Sequence, residues 1–262
     1  MAALIIAHRG GAPEAGENTA AAFEIALGSG ADMLETDVLC TADGHLVARH
    51  DQLVTLTTGE RRRVSELPFD LVRQTVPSIF LFEEFLERFV TQIPANIDVK
   101  APGFEDVLVR MLRKHDLVES VLISGRDTMS LRRIKLLAPE TRIGLSRGQL
   151  VPWLGREPHS SIAASLMRPT LPLQLPLHAG LALADSFMLN YRLIQPCLVA
   201  HLHRRGYGVF CWTVNDPETA RCLDAAGVDG IATDYPALIV PALRDGASTT
   251  DGTFCSRPAS HQ

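Results

Sequence analysis

The chain has 262 residues, 46% of them hydrophobic and 21% charged, with a formal net charge of -5. That balance describes a globular protein with a sizeable core, and its acidic sign removes nucleic acid as a main partner. The opening residues lack a basic leader and a cleavage site. No apolar run approaches the ~20 residues of a membrane helix, so a cytoplasmic protein without an integral membrane segment is expected.

Apolar, β-branched runs predict strands at Leu4–Ala7, Met33–Leu39, Asn96–Lys100, Val121–Ser124, Arg142–Leu145, Leu183–Met188, Gly208–Val214 and Gly230–Thr233. Helical patterns fall between them. Ala20–Leu27 follows an Asn18-Thr19 cap, and Phe82–Val90, Phe104–Lys114, Thr128–Leu137, Arg192–Arg205 and Pro217–Ala226 come after it. Gly30, Gly206 and Gly227 stand where a helix C-terminal cap needs positive φ. Repeated βα units predict a parallel sheet with right-handed crossovers. Eight strands in about 240 residues fit a (β/α)8 TIM barrel, an α/β fold occupying residues 1–245 as one domain.

Thr41-Ala42-Asp43-Gly44 is a turn too tight for a helical crossover. Leu46–His50 is therefore expected as an antiparallel hairpin arm that carries His50 back beside Glu35 and Asp37. Residues 51–80 read as a loop or small cap over the C-terminal mouth, with Arg61-Arg62-Arg63 a solvated loop within it. Residues 146–182, rich in Pro and Leu, read as an irregular βα connection. The tail 246–262 is rich in Ser, Thr and Gly and is expected to be disordered. Five scattered cysteines (Cys40, Cys197, Cys211, Cys222, Cys255) form no CxxC pair and suggest neither a disulfide framework nor a zinc cluster. Cys211 and Cys222 read as small core residues.

Alternation along a strand sends Glu35 and Asp37 to one face, and Asn96, Asp98 and Lys100 to another common face. An acidic pair flanked by Leu34, Val38 and Leu39 is costly to bury without a cation, and oxygen-only ligands suit Mg2+ or Ca2+. The plainer reading is an exposed acidic edge strand. Asp98 could complete the carboxylate set while Lys100 serves an anionic substrate; the alternative is a salt bridge across the barrel interior. His8 and Arg9 end the first strand, on the face where barrels carry their active sites. With His50, His8 would form an acid/base pair, and the Arg9 fork suits either phosphate or an internal carboxylate. Glu17 could cap the first helix, orient His8 or Arg9, or ligate the cation. Trp212 is a core residue or an apolar wall for a small polyol, and Asp234 is a further candidate. His201 and His203, two apart on a helix, do not share a face and make no metal pair.

Several segments together resemble the signature of the glycerophosphodiester phosphodiesterases. They are His8-Arg9-Gly10, Glu17-Asn18-Thr19, Gly30 to Val38, Thr41-Ala42-Asp43-Gly44, His50-Asp51, Trp212-Thr213-Val214-Asn215 and Gly227 to Pro236. The resemblance implies a (β/α)8 barrel that hydrolyses glycerophosphodiesters to sn-glycerol 3-phosphate and an alcohol, using one divalent cation. His8 and His50 would be the acid/base pair, and Glu35, Asp37 and Asp98 would hold the cation. Arg9 and Lys100 would stabilise phosphate charge, with Trp212 beside the substrate and Glu17 and Asn18 behind these groups. In such enzymes the glycerol hydroxyl attacks phosphorus, and water opens the resulting cyclic phosphate. One departure stands out: the family usually has Glu where this chain has Asp98, which leaves Mg2+ against Ca2+ open. A runner-up keeps the site but acts on a lipid, as a lysophospholipase D or sphingomyelinase D does, with 146–182 as an apolar ramp. A non-catalytic phosphoester-binding barrel is the remaining alternative.

Overall fold

The computed structural model describes residues 2–148 and 164–244. From the N-terminus come β1 (Leu4–Ala7), α1 (Ala20–Gly28), β2 (Met33–Cys40) and β3 (Leu46–Ala48). Then follow β4 (Leu53–Thr55), β5 (Arg61–Arg63), α2 (Phe69–Thr75), β6 (Phe80–Leu81) and α3 (Phe82–Phe85). The chain continues through β7 (Ala95–Val99), α4 (Glu105–Lys114), β8 (Val121–Gly125), α5 (Thr128–Leu137) and β9 (Arg142–Arg147). It closes with α6 (Leu171–Ala182), β10 (Ser186–Asn190), α7 (Pro196–His203), β11 (Gly208–Trp212), α8 (Pro217–Ala225), β12 (Gly230–Thr233) and α9 (Pro236–Arg244). Strands β1, β2 and β7 to β12 pair in parallel around a ring that β1 closes by pairing with both β12 and β2. The expected TIM barrel is therefore the observed fold.

Strand alternation sorts the side chains into two cores. Outward residues such as Ile5, Leu34, Ile97, Ile123, Leu145 and Phe187 pack under the helices. Inward residues Ile6, Met33, Leu122, Met188 and Ala232 fill the barrel bottom, with Phe210 and Trp212 packed on them. Two residues further along the same inward rows lie His8, Glu35, Ser124 and Asp234. The interior thus turns from apolar to ionisable as it reaches the mouth.

The hairpin arm forms as expected: β3 runs antiparallel to β2 with Val38 opposite Ala48. Arg49 N donates to Asp37 O at 2.9 Å, which extends the return. The insertion after it has a small core of its own, where Val54, Val64, Leu67, Phe69 and Val72 pack against Leu39 and Val47. Arg61–Arg63 is not a solvated loop but strand β5, paired with β4. Its arginines are held in place by Arg62 to Glu66 and Arg63 to Gln52 hydrogen bonds.

The Pro/Leu segment also departs from expectation, because residues 171–182 are helical. Pro172 occupies the first turn, where a missing N–H costs nothing. Pro176 lies inside the helix and cannot donate to the Pro172 carbonyl. His201 on α7 donates its Nε2–H to that carbonyl instead, at 3.1 Å. Leu183 then ends α6 in the left-handed region, φ 54, which delays the next strand to Ser186. Likewise α7 starts at Pro196 rather than at Arg192, since proline favours the first helical turn. Cys211 is fully buried as expected, but Cys222 on α8 is only half-buried and is disulfide-bonded, against the expectation of unbridged cysteines. Residues 149–163 of the expected irregular connection, and the tail 246–262, lie outside the described residues.

The His201 contact can be measured by urea unfolding. His201→Ala is expected to lose about 1–2 kcal/mol of stability, because it leaves the Pro172 carbonyl unpaired. In a Pro176→Ala background the restored N–H should absorb most of that loss. An equal cost in both backgrounds would refute the explanation.

Candidate active site

Asp37 is the centre of the cluster. It sits on β2 at 0% exposure, in register with Asp98 on the adjacent β7. Asp98 is therefore a neighbour of Asp37 along the sheet, not a group across the barrel. Three elements supply partners to the buried carboxylate. Asn18 Nδ2 donates to Asp37 Oδ2 at 2.9 Å, while Asn18 Oδ1 accepts from Thr36 Oγ1 and from Asp37 N. Arg9 Nε lies 3.2 Å from Asp37 Oδ2, and Lys100 Nζ lies 2.7 Å from Oδ1. The Lys100 ammonium also rests against Asp98 Oδ2, whose other oxygen accepts from Ser124 Oγ at 3.2 Å.

The first βα turn puts these groups in place. Arg9 and Asn18 both adopt left-handed backbone, φ 54 and φ 56. Gly10 permits the turn to lie on α1: a Cβ there would come within 2.7 Å of the Ala22 Cβ. Thr19, rather than Glu17, caps α1, its Oγ1 accepting from Ala22 N. Glu17 instead accepts from Arg9 NH1 at 2.5 Å, beside the guanidinium and not at the α1 cap.

Each candidate histidine has its Nδ1 against a carboxylate. His8 Nδ1 donates to Asp234 Oδ1 at 2.7 Å, which leaves Nε2 4.0 Å from Glu35 Oε2. Asn215 holds Asp234 in turn, donating to its Oδ2 and accepting from its backbone N. His50 Nδ1 lies 2.9 Å from Asp51 Oδ1. His50, Asp98 and Lys100 line one cavity of about 470 Å³, together with Gln52, Arg126 and Asp127. His8, Arg9, Glu35, Asp37 and Trp212 are not among its lining residues. The indole packs on the apolar barrel floor and donates Nε1–H to Met188 O at 3.0 Å.

Burial pushes Glu35 up to about 7, with Asp37 adding to the rise and His8 and Lys100 opposing it. Burial also works against the Asp37 charge, but Lys100 and Arg9 hold that carboxyl below the usual range. For Lys100 burial opposes charge, and Asp98, Asp37 and Glu35 overcome it to keep the ammonium well above the usual lysine range. For His8 the burial penalty is outweighed by Glu35 and Asp234, so its pKa is raised.

The carboxylates of Glu35, Asp37 and Asp98 bring one oxygen each within 4.8 Å of the others. Asp37 Oδ1 is buried with no aligned hydrogen bond, although Lys100 is near it. Three hard oxygen donors, one of them under-coordinated, fit a divalent cation such as Mg2+ or Ca2+.

A sequence model described as the glycerophosphoryl diester phosphodiesterase family matches residues 8–238. The chain belongs to that family. A glycerophosphodiester phosphodiesterase from Caldanaerobacter subterraneus is 32% identical over 94% of this chain and 100% of its own length. A solved structure described as a glycerophosphoryl diester phosphodiesterase, from Silicibacter pomeroyi, superposes with a TM-score of 0.76. It is 23% identical and covers 94% of each chain. A phosphodiesterase from Oleispira antarctica, solved with the product sn-glycerol-3-phosphate, gives 0.75 at 22% identity over 92% of this chain and 96% of its own. This protein is accordingly a phosphoric diester hydrolase acting on glycerophosphodiesters. No described helix is long and apolar enough to cross a membrane.

Sequence reasoning named the carboxylates, both histidines, Arg9 and Lys100, but undervalued Asn18, Asp234 and Asn215. The Trp212-Thr213-Val214-Asn215 motif held the signal for Asn215. Arg126 and Gln52, which line the cavity, carried no signal that separates them from ordinary loop residues.

The metal-free protein offers a pH test in chelating buffer. Glu35 has a folded value above its unfolded one, so its contribution is complete below the unfolded value and is lost as pH rises through about 7. His8, also raised, loses stability in the same direction. Asp37 and Asp234 are lowered, so their contribution is lost only in acid. The thermal midpoint should therefore fall between about pH 5 and about pH 8, less steeply in Glu35→Gln. A midpoint that climbs over that interval would contradict the assignment.

Proposed function

We propose that the protein hydrolyses small glycerophosphodiesters to sn-glycerol 3-phosphate and an alcohol by a cation-dependent His/His mechanism. The observation that carries this reading is the shared arrangement of His8 and His50. Each ring has Nδ1 committed to a carboxylate, Asp234 or Asp51, which leaves Nε2 to exchange protons with substrate.

Glu35, Asp37 and Asp98 would hold Mg2+ or Ca2+, a choice the shorter Asp98 leaves to experiment. The cation, when bound, polarises a phosphoryl oxygen and offsets charge developing there. One histidine takes the proton of the glycerol hydroxyl as its oxygen bonds to phosphorus; the other gives a proton to the departing alcohol. A cyclic phosphate results. The two then exchange roles as water opens the ring. Lys100 and Arg9 add positive charge beside the phosphoryl oxygens, with Arg9 steadied by Glu17 and Asp37. Asn18 fixes the Asp37 carboxylate, and Trp212 supports the site from the barrel floor.

A lipid-linked substrate is the second reading, favoured by exposed Leu166 and Leu173 at the mouth end of the α6 region. Parallel assays on glycerophosphocholine and lysophosphatidylcholine, each with Mg2+, Ca2+ and Mn2+, separate the two. The lead reading expects the water-soluble diester to turn over faster. Failure of every diester with every metal would leave the binding-barrel alternative.

His8→Ala and His50→Ala should each lower turnover by about 10²–10⁴-fold while the far-UV circular dichroism of the folded protein is unchanged. Near-native rates in either variant would defeat its acid/base role.

A further inference from the structure

Lys100 occupies an unusual place for a phosphate ligand. Its ammonium lies on the carboxylate seat itself, 2.7 Å from Asp37 Oδ1 and in contact with Asp98 Oδ2. Both residues belong to the three-carboxylate set whose oxygens gather within 4.8 Å. A divalent cation would need the same lone pairs at roughly 2.0–2.6 Å. An ammonium and a dication sharing two buried oxygens repel strongly, because little water lies between them. One of the two must leave.

The ammonium is the part free to move. Asp37 is fully buried and pinned by Asn18, and Asp98 is tied to Ser124. Lys100 sits on a flexible four-carbon stem and lines the cavity of about 470 Å³, which gives its head group somewhere to go. Its hold on Asp37 Oδ1 is close but poorly aligned, as expected of a stand-in rather than a dedicated partner. Arg9 does not play this part: its contacts are with Asp37 Oδ2 and Glu17.

We propose that Lys100 is the resident counter-ion of the cation seat, displaced from Asp37 and Asp98 when a divalent cation binds and turned into the cavity to receive the substrate phosphate. This rests on the cation reading above. It means that in the metal-free protein the buried Asp37 and the half-buried Asp98 keep a cation between them. It also couples the two ligands, since the cationic group that serves phosphate is released only once the seat is filled.

The chain has three lysines, Lys100, Lys114 and Lys135, which makes the displacement measurable. Reductive methylation of the wild-type protein, read by mass spectrometry with and without Ca2+, reports each amine separately. Lys135, held by Thr141 O and Asp185, serves as the internal reference. Lys114 instead rests on Glu83 of a second acidic group, Glu83, Glu87 and His115, and reports cation binding there. Calorimetry on the same samples establishes whether Ca2+ binds. Methylation of Lys100 should speed up several-fold on Ca2+ binding, and Lys100→Met should bind Ca2+ roughly tenfold more tightly, without substrate present. Ca2+ binding with an unchanged Lys100 rate would overturn the displacement while sparing the cation reading. Wild-type protein that binds neither Ca2+ nor Mg2+ would overturn both.

Discussion

A carboxylate with no access to water sits within β2, and the mouth of the barrel is organised around keeping it charged. Asp37 at 0% exposure would be intolerable alone. Its partners come from three separate places: Asn18 before α1, Arg9 after β1, and Lys100 after β7. Two of these, Arg9 and Asn18, hold left-handed backbone that costs of order 1–3 kcal/mol each. The fold accepts that strain at the positions from which the side chains reach the same carboxylate. Removing one partner therefore threatens more than a single contact, because a buried charge left uncompensated is worse than a pair never formed.

The barrel interior explains how such a site coexists with a stable core. Along β1 the inward row reads Ile6 then His8, along β2 Met33, Glu35 and Asp37, and beyond β12 Ala232 then Asp234. Each row crosses from an apolar floor to an ionisable rim within two residues, about 7 Å of strand. The floor excludes water from below and lowers the effective dielectric under the charges. The cavity of about 470 Å³ beside this rim is lined by His50, Asp98 and Lys100. Electrostatic contacts at that boundary are stronger than in bulk solvent, the condition under which fixed cations and proton donors act on a phosphoryl group.

Local rules recovered what depends on neighbours in sequence. Period-two alternation found the Glu35/Asp37 pair, and the turn at Asp43-Gly44 brought His50 back towards it. Relations between distant segments were less legible. Parity put Asp98 and Lys100 on one face, but only the pairing register makes Asp98 the lateral neighbour of Asp37. Asn18 looked like part of a helix cap, and its tie to Asp37 lies 19 residues away. Pro176 argued against a helix because the donor that rescues it, His201, belongs to the next helix. The arginine run read as solvent-exposed, which β5 satisfies by exposing two of its three side chains.

Asp98 ties these themes together. With Ser124 on one oxygen and Lys100 on the other, its carboxylate is held against the wall of the barrel formed by β7 and β8. A glutamate there would reach about one methylene further over Asp37 and Glu35, leaving less room for an ammonium between the acids. The shorter side chain instead leaves Lys100 bridging Asp98 to Asp37, which are directly paired in register on β7 and β2. A cation entering this seat meets a group already neutralising it, so affinity depends on how readily Lys100 yields as much as on how well three oxygens coordinate.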